Sequence, residues 1–317
     1  MIPPLRRGFL ALPALLLGTA TAQDNAIKLY VGAAAGTGID LSARGFAAPF
    51  GQALRATVLV INRPSAGGVL AAESVAQAAP DGRSLLYSSL GPLAVAPQTI
   101  RPLPYHPLNS FTHLARLACG GFVIAVPAQS PAHDLPGLIA HLRLRGGAAN
   151  YATSMGAMAY RLAAEMLQQA AGTRAQHVPF RTTGEVLTAL STNQVEFAID
   201  LRGPLQPLAH QGEIRLLAVT SAESDPALPM LPPLARYYPG VVLESWVGFS
   251  APRGLPPAQQ ARMAEAAAFT LRDPAVQTML GRSGAVPAYM PGQAYTAFIA
   301  QELTRITQLA QHAGLTA

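Results

Sequence analysis

The chain of 317 residues has one cysteine, one lysine, and charged residues at only 12% of its positions. Cys119 has no partner for an internal disulfide, and its setting, LARLACGGFVIAV, reads as a buried inert thiol. A single Cys also excludes a thiolate metal cluster. Lys28 precedes every tyrosine, so no Tyr-x-x-x-Lys pair exists, and no Gly-Lys-Ser/Thr phosphate loop exists either. No cluster of Lys and Arg is interleaved with aromatics, which leaves nucleic-acid binding without support. The seven histidines (His106, His113, His133, His141, His177, His210 and His312) show no HxxxH or HExxH spacing and read as surface or capping residues. A GxSxG nucleophile elbow is also missing. These absences argue against an enzyme, a metal site and a cofactor.

The N-terminus carries a positive signal. Arg6 and Arg7 precede an apolar run from Phe9 to Leu17, and Ala20 and Ala22 stand at −3 and −1 of a cleavage site before Gln23. A basic start, a short apolar core and small residues form a secretory signal peptide over residues 1–22. The core has about half the length that a membrane-spanning helix needs. Arg6-Arg7-Gly8-Phe9-Leu10 also fits a twin-arginine export signal, although Leu5 stands where a hydroxyl residue is usual, so the route stays open. Removing residues 1–22 lowers the formal net charge from +6 to +4, a mild positive field that suits anionic solutes.

The mature length suggests two domains. Short apolar runs alternate with helical patterns. Strands are predicted at 27–31, 57–61, 84–88, 112–117, 122–126, 149–152, 174–179, 197–200, 215–220 and 247–251. Helices are predicted between them at 41–54, 69–77, 135–143, 159–171 and 184–192. This order argues for an α/β fold with parallel sheets. After Pro252 the pattern is purely helical, at 256–271, 274–282 and 291–313, each segment opening near a proline. No Pro/Gly-rich linker separates the domains, so the chain is expected to cross and recross between them.

The run Val31-Gly32-Ala33-Ala34-Ala35-Gly36-Thr37-Gly38-Ile39-Asp40 joins the first strand to the first helix. Small residues let backbone N–H groups approach a ligand there, and a helix start favours an anion. Its GxxxGxG spacing is similar to a dehydrogenase nucleotide loop, a reading that the missing Tyr–Lys pair disfavours. Met155 and Met158 flank Gly156 at a strand-to-helix junction, as core or as pocket lining. Trp246 with Phe249 reads as core or inter-lobe packing, ahead of ligand stacking as the alternative.

The order of motifs resembles the substrate-binding receptors of tripartite tricarboxylate transporters, the Bug-type proteins, over essentially all of the mature chain. Gly36 and Asp40 match the family's first loop, which departs from the pattern at Gly32, Ala33 and Thr37. Asn62-Arg63-Pro64-Ser65-Ala66-Gly67-Gly68 is close to its Asn-Arg-Pro-Gly-Ala-Gly-Gly. Asp81-Gly82 with Leu85–Ser89, Tyr105 with Pro107, Asn150–Ser154 and His177–Arg181 follow in the family's order. So do Leu217–Thr220, Ala227–Pro229, and Trp246 before Ala251-Pro252. Met155, Gly156, Ala157 and Met158 replace the usual Gly-x-Gly-Thr, and Arg161 stands where a His is usual.

The resemblance implies a type II periplasmic-binding fold of two lobes, with mainly parallel sheets and a hinge, located in the periplasm. Lobe one is expected at 23–124 plus 249–317, and lobe two at 125–248. The implied function is a monomeric receptor that captures a small carboxylic acid and delivers it to membrane permease subunits. A binding protein serving a signalling partner is the alternative. Carried over by position, Ala34, Ala35, Gly36, Thr37, Asp40, Ser88 and Ser89 form the lobe-one side of the site. Ser154, Met155, Gly156, Phe180, Arg181, Thr182 and Asp200 form the lobe-two side. Arg181 reads equally as the partner of a second carboxylate or as a solvated charge. The two methionines, facing the room left by Ala33, favour an apolar or aromatic monocarboxylate over a citrate-like acid.

Overall fold

Ile27, Leu29 and Val31 turn inward on β1 (Ile27–Val31) while Lys28 faces solvent, the period-two pattern of a strand. The computed structural model describes residues 26–154, 158–312 and 314, so the predicted export segment lies outside the described residues. β1 leads into α1 (Gly38–Leu54), which buries Ala43, Phe46, Ala47, Phe50 and Leu54 at helical spacing. The chain continues through β2 (Val58–Asn62), α2 (Val69–Ala76) and β3 (Ser84–Ser89), and β1 pairs in parallel with both β2 and β3. A short helix, α3 (Ala96–Thr99), precedes the long strand β4 (Phe111–Gly121). With β10 (Glu244–Pro252) and β11 (Val286–Pro291), these strands form one sheet in the order β11-β4-β10-β3-β1-β2.

A second sheet takes the middle of the chain. β5 (Val123–Pro127), α4 (Leu135–Arg145), β6 (Ala149–Ser154), α5 (Met158–Ala171) and β7 (Ala175–Phe180) come first. Then follow α6 (Thr183–Ser191), β8 (Phe197–Asp200), α7 (Arg202–His210) and β9 (Ile214–Val219). The strand order is β7-β6-β8-β5-β9. The chain thus crosses between the two sheets twice, once on each side of β5–β9. The second sheet opens at Val123 and the return strand at Glu244, two and five residues ahead of the expected seams.

Both sheets are mixed rather than mainly parallel. β10 runs antiparallel to β3 and β4, β11 to β4, and β5 to β8 and β9. Parallel neighbours need a crossover connection. β4 leads out to the second sheet and β10 leads back from it, so β10 lies beside β4 in the opposite sense. The segment after Pro252 is not purely helical either. α8 (Pro257–Thr270), α9 (Pro274–Ser283) and α10 (Gly292–His312) are interrupted by β11, an edge strand holding Pro287 and Pro291. Prolines are tolerated at a sheet edge and hide a strand from pattern reading. Pro204 and Pro207 conceal α7 in the same way.

The tail packs on the first sheet and its helices: α8 against α1 and β4, α9 against α1, α10 against β4. Phe46, Phe50, Tyr87 and Phe249 cluster with centroids 4.5–6.4 Å apart. Trp246 packs edge-on against Tyr295 and Phe298 of α10, and its Nε1 donates to Glu302 Oε2 at 3.2 Å. Arg305 donates to both oxygens of Glu302, at 2.7 and 2.9 Å, so this nearly buried carboxylate is paired.

Gly248 sits where β10 breaks register with β4, and a Cβ there would press on the Ala115 carbonyl and on the Tyr295 hydroxyl at 2.7 Å. Gly248→Ala is therefore expected to cost about 1–3 kcal/mol in urea unfolding, as overpacked cores do. Gly281→Ala, on an exposed helical turn with open space around it, is expected to be neutral or stabilising by up to about 1 kcal/mol. Equal stability of the two variants would contradict this packing.

Candidate functional site

Parallel strands end in loops at one edge of a sheet, and ligands of open α/β sheets bind at those edges. Here the C-terminal ends of β1 and β2 face those of β6 and β7 across a cleft of about 500 Å³. The first sheet contributes Gly32, Ala33, Ala34, Thr37, Gly38 and Ile39 from one loop and Pro64, Ser65 and Ala66 from the next. The second contributes Thr153 and Ser154, then Met158, Tyr160 and Arg161 from the first turn of α5, then His177, Pro179, Arg181 and Thr183.

The first loop is shaped from beneath. Asp40 is 1% exposed, and its Oδ2 accepts from the Gly36 N–H at 2.8 Å and from Arg44 Nε at 3.1 Å. Its Oδ1 accepts from Asn62 Nδ2 at 2.8 Å, and the same nitrogen donates to the Ala33 carbonyl at 3.0 Å. Burial alone would raise this carboxyl, but the donors from Arg44, Gly36 and Asn62, with the Arg44 charge, hold it below the usual carboxylate range. Gly36 has φ +82°, in the left-handed region that glycine occupies without strain. Thr37 caps α1: its Oγ1 accepts from the Asp40 N–H at 3.4 Å and donates to the Ala34 carbonyl at 2.8 Å. The neighbouring loop closes on this one backbone to backbone, since a Cβ on Gly32 would lie 2.6 Å from the Gly68 Cα.

Across the cleft, His177 Nε2 pairs with Thr153 Oγ1 at 2.7 Å. Burial, helped by the Arg161 charge, pushes this imidazole down to about 4, so it is neutral at pH 7. The Arg181 backbone N–H donates to Glu185 Oε2 at 2.9 Å. Thr182 caps α6 by accepting from the Glu185 N–H at 3.2 Å. No Asp or Glu lines the cleft among the described residues.

Of the residues carried over from the sequence, Ala34, Thr37, Ser154 and Arg181 are brought together on the walls. Ala35 and Gly36 form the exposed tip of the first loop, and Asp40 lies under it. Ser88 is fully buried against the Tyr295 hydroxyl at 3.0 Å, and Ser89 is buried beside it in β3. Phe180 packs on the second sheet's core, and Thr182 faces a separate shallow depression with it. Asp200 is buried and adjoins Tyr160. Met155 and Gly156 lie outside the described residues. Sequence reasoning missed Tyr160, Arg161, His177, Thr153 and Pro64–Ala66 as wall residues. The available signals were the replacement of a usual His by Arg161 and the Asn62–Gly68 signature.

The model of the Tripartite tricarboxylate transporter family receptor matches residues 42–315. The chain belongs to this family. The receptor is similar to periplasmic binding protein BugD, with a TM-score of 0.84 and 27% identity over 92% of this chain and 98% of that one. It is similar to R. palustris Rpa4515 with adipate, with a TM-score of 0.85 and 27% identity over 92% and 97% of the two chains. It is also similar to MatC of Rhodopseudomonas palustris with bound malate, with a TM-score of 0.81 and 28% identity over 90% and 98%. The family receptor's two-lobed α/β architecture is therefore that of the periplasmic binding proteins, with mixed sheets.

Asp200, behind the lobe-two wall, generates a pH prediction. Burial pushes its carboxyl up to about 7 from 3.8, against the pull of the Leu201 N–H donating at 2.7 Å. The folded state thus favours the neutral acid. Its stabilising contribution is complete below the unfolded value of 3.8 and is lost as pH rises through about 7. Asp200→Asn cannot ionise, so its urea midpoint relative to the parent is expected to improve between pH 5 and pH 7.5. A constant offset across that range would show that Asp200 is not so perturbed.

Proposed function

We propose that this receptor captures a small organic acid between its lobes in the periplasm and delivers it to a tripartite tricarboxylate-type permease. The observation that carries this reading is the cleft's charge pattern. Arg161 and Arg181 are its charged lining residues, no carboxylate lines it beside them among the described residues, and α1 and α6 begin at its walls. Helix N-termini and cleft-lining guanidinium groups both favour an anion. The relatives with adipate and malate bound support the same ligand class. In this reading Ala34 and Thr37 present the first loop's backbone to one carboxylate, and Ser154 and Arg181 meet the ligand from the other lobe. Asp40 holds the loop and does not touch the acid. The lobes close about the crossings at 121–123 and 241–244. The chain acts by binding and returns its ligand unchanged.

Export follows from the N-terminal segment: the mature chain begins at Gln23 in the periplasm. Edman sequencing of the exported form checks this, and an uncleaved, membrane-held product would contradict it. Changing Arg6 and Arg7 together to Lys stops export only if the route is twin-arginine.

Calorimetry of the mature protein against malate, adipate, citrate and benzoate, with glucose and putrescine as neutral and cationic probes, tests the ligand class. At least one acid is expected to bind in the micromolar range or tighter, with no heat from glucose or putrescine. Binding of a neutral or cationic probe with none of the acids would overturn the proposal. Deleting the gene is then expected to abolish uptake of the bound acid. Unchanged uptake with loss of a transcriptional response to that acid would favour a signalling partner instead.

A further inference from the structure

The two cationic wall residues differ in their surroundings. Arg181 stands on an exposed rim. Arg161 is only partly exposed, on the first turn of α5, and its Nε is buried without a hydrogen-bond acceptor among the described residues. The nearest carboxylate is Glu165, four residues on, and it does not fill that gap. Its Oε1 lies 3.8 Å from Arg161 Nε, beyond hydrogen-bonding distance, and already accepts from the Tyr151 hydroxyl at 2.7 Å. Nε itself is shielded, but the rest of this partly exposed side chain lines the cleft, where a guanidinium matches a carboxylate in forked geometry. His177, beside Arg161, is held neutral by burial and by that charge, so the imidazole cannot duplicate it.

The opposite wall has a different character. Gly32–Ile39 and Pro64–Ala66 bring backbone, the hydroxyls of Thr37 and Ser65 and apolar side chains, and no charged one. That wall suits one carboxylate. A monoacid held there would leave the Arg161 charge in a closed cleft with only the long 3.8 Å pairing to Glu165, a carboxylate that Tyr151 shares. Met158 does not replace that pairing, because its Sδ accepts from Thr99 Oγ1 at 3.4 Å, toward the first lobe. The thioether-lined pocket expected from the sequence thus has one of its two sulfurs already engaged, and Met155 lies outside the described residues.

We infer that Arg161 sets the charge selectivity of the cleft, pairing the ligand's second anionic group so that the receptor prefers a diacid to a monoacid of the same length. This rests on the reading of the cleft as the acid site.

The test uses the mature protein and three length-matched pairs: succinate with butanoate, glutarate with pentanoate, and adipate with hexanoate. For at least one pair the diacid is expected to bind about 10- to 100-fold tighter, the scale of one hydrogen-bonded charge pair. Arg161→Gln is expected to bring that diacid to the affinity of its monoacid and to leave the monoacid unchanged, while Arg161→Lys keeps part of the preference. Monoacids binding as tightly as their diacids to the parent would overturn the inference, even if the variant fails to fold. So would equal weakening of both acids by Arg161→Gln. In both cases the acid-site reading would stand. If none of the six acids binds the parent, the inference falls, and the acid-site reading is decided separately by the malate, citrate and benzoate titrations.

Discussion

The buried carboxylate of Asp40 organises the first wall of the cleft. It lies under a loop of small residues that has no side chains large enough to hold itself in shape. Three donors converge on it, one from the loop's own backbone at Gly36, one from α1 at Arg44, and one from β2 at Asn62. Because Asn62 also holds the Ala33 carbonyl and receives Arg44, loop, helix and strand are fixed together. A buried charge left unpaired would be strongly destabilising, so the network is satisfied as a unit or not at all. Its consequence for function is indirect. With the carboxylate consumed beneath the loop, the loop's upper surface faces the cleft with backbone, the Thr37 hydroxyl and no negative charge.

The same loop depends on a close approach behind it. The contact between Gly32 and Gly68 sets the loops after β1 and β2 side by side, so two strand ends act as one wall. Facing it, β6 and β7 supply Thr153, Ser154 and Pro179 from strands that pair in parallel from Ala149 to Ser154, with Arg181 just beyond the end of β7. The mixed sheets follow from the double crossing of the chain. β4 and β10 run side by side, and α10 covers β4, so the first lobe is the broader base.

Much of this was legible before any coordinates. β1 and β8 have the bounds expected from their apolar runs, and the helices follow their spacing to within a few residues. What stayed hidden has physical causes. Prolines concealed β11 and α7, because a pattern reading takes proline as a stop while an edge strand or a helix can hold it. The type of Asp40 was visible and its direction was not: a carboxylate at a helix start can face a ligand or turn beneath its own loop. Ser88 stood at a strand end by sequence, yet Tyr295, far along the chain, takes its hydroxyl. Arg161 was visible as a departure from a motif, but only the turn of α5 shows which wall it joins. His177 reads from sequence as a surface or capping residue, since its partner Thr153 lies on the neighbouring strand and not nearby in sequence.

The central claim is that the cleft is a receptacle for a small organic anion. The most direct measurement is mass spectrometry of what the protein carries when purified from the periplasm without added ligand, after denaturation releases it. The account predicts a small carboxylic acid in stoichiometric amount, lost when Ala34→Trp fills the cleft. A stoichiometric neutral sugar, amine or other cation in its place would contradict it.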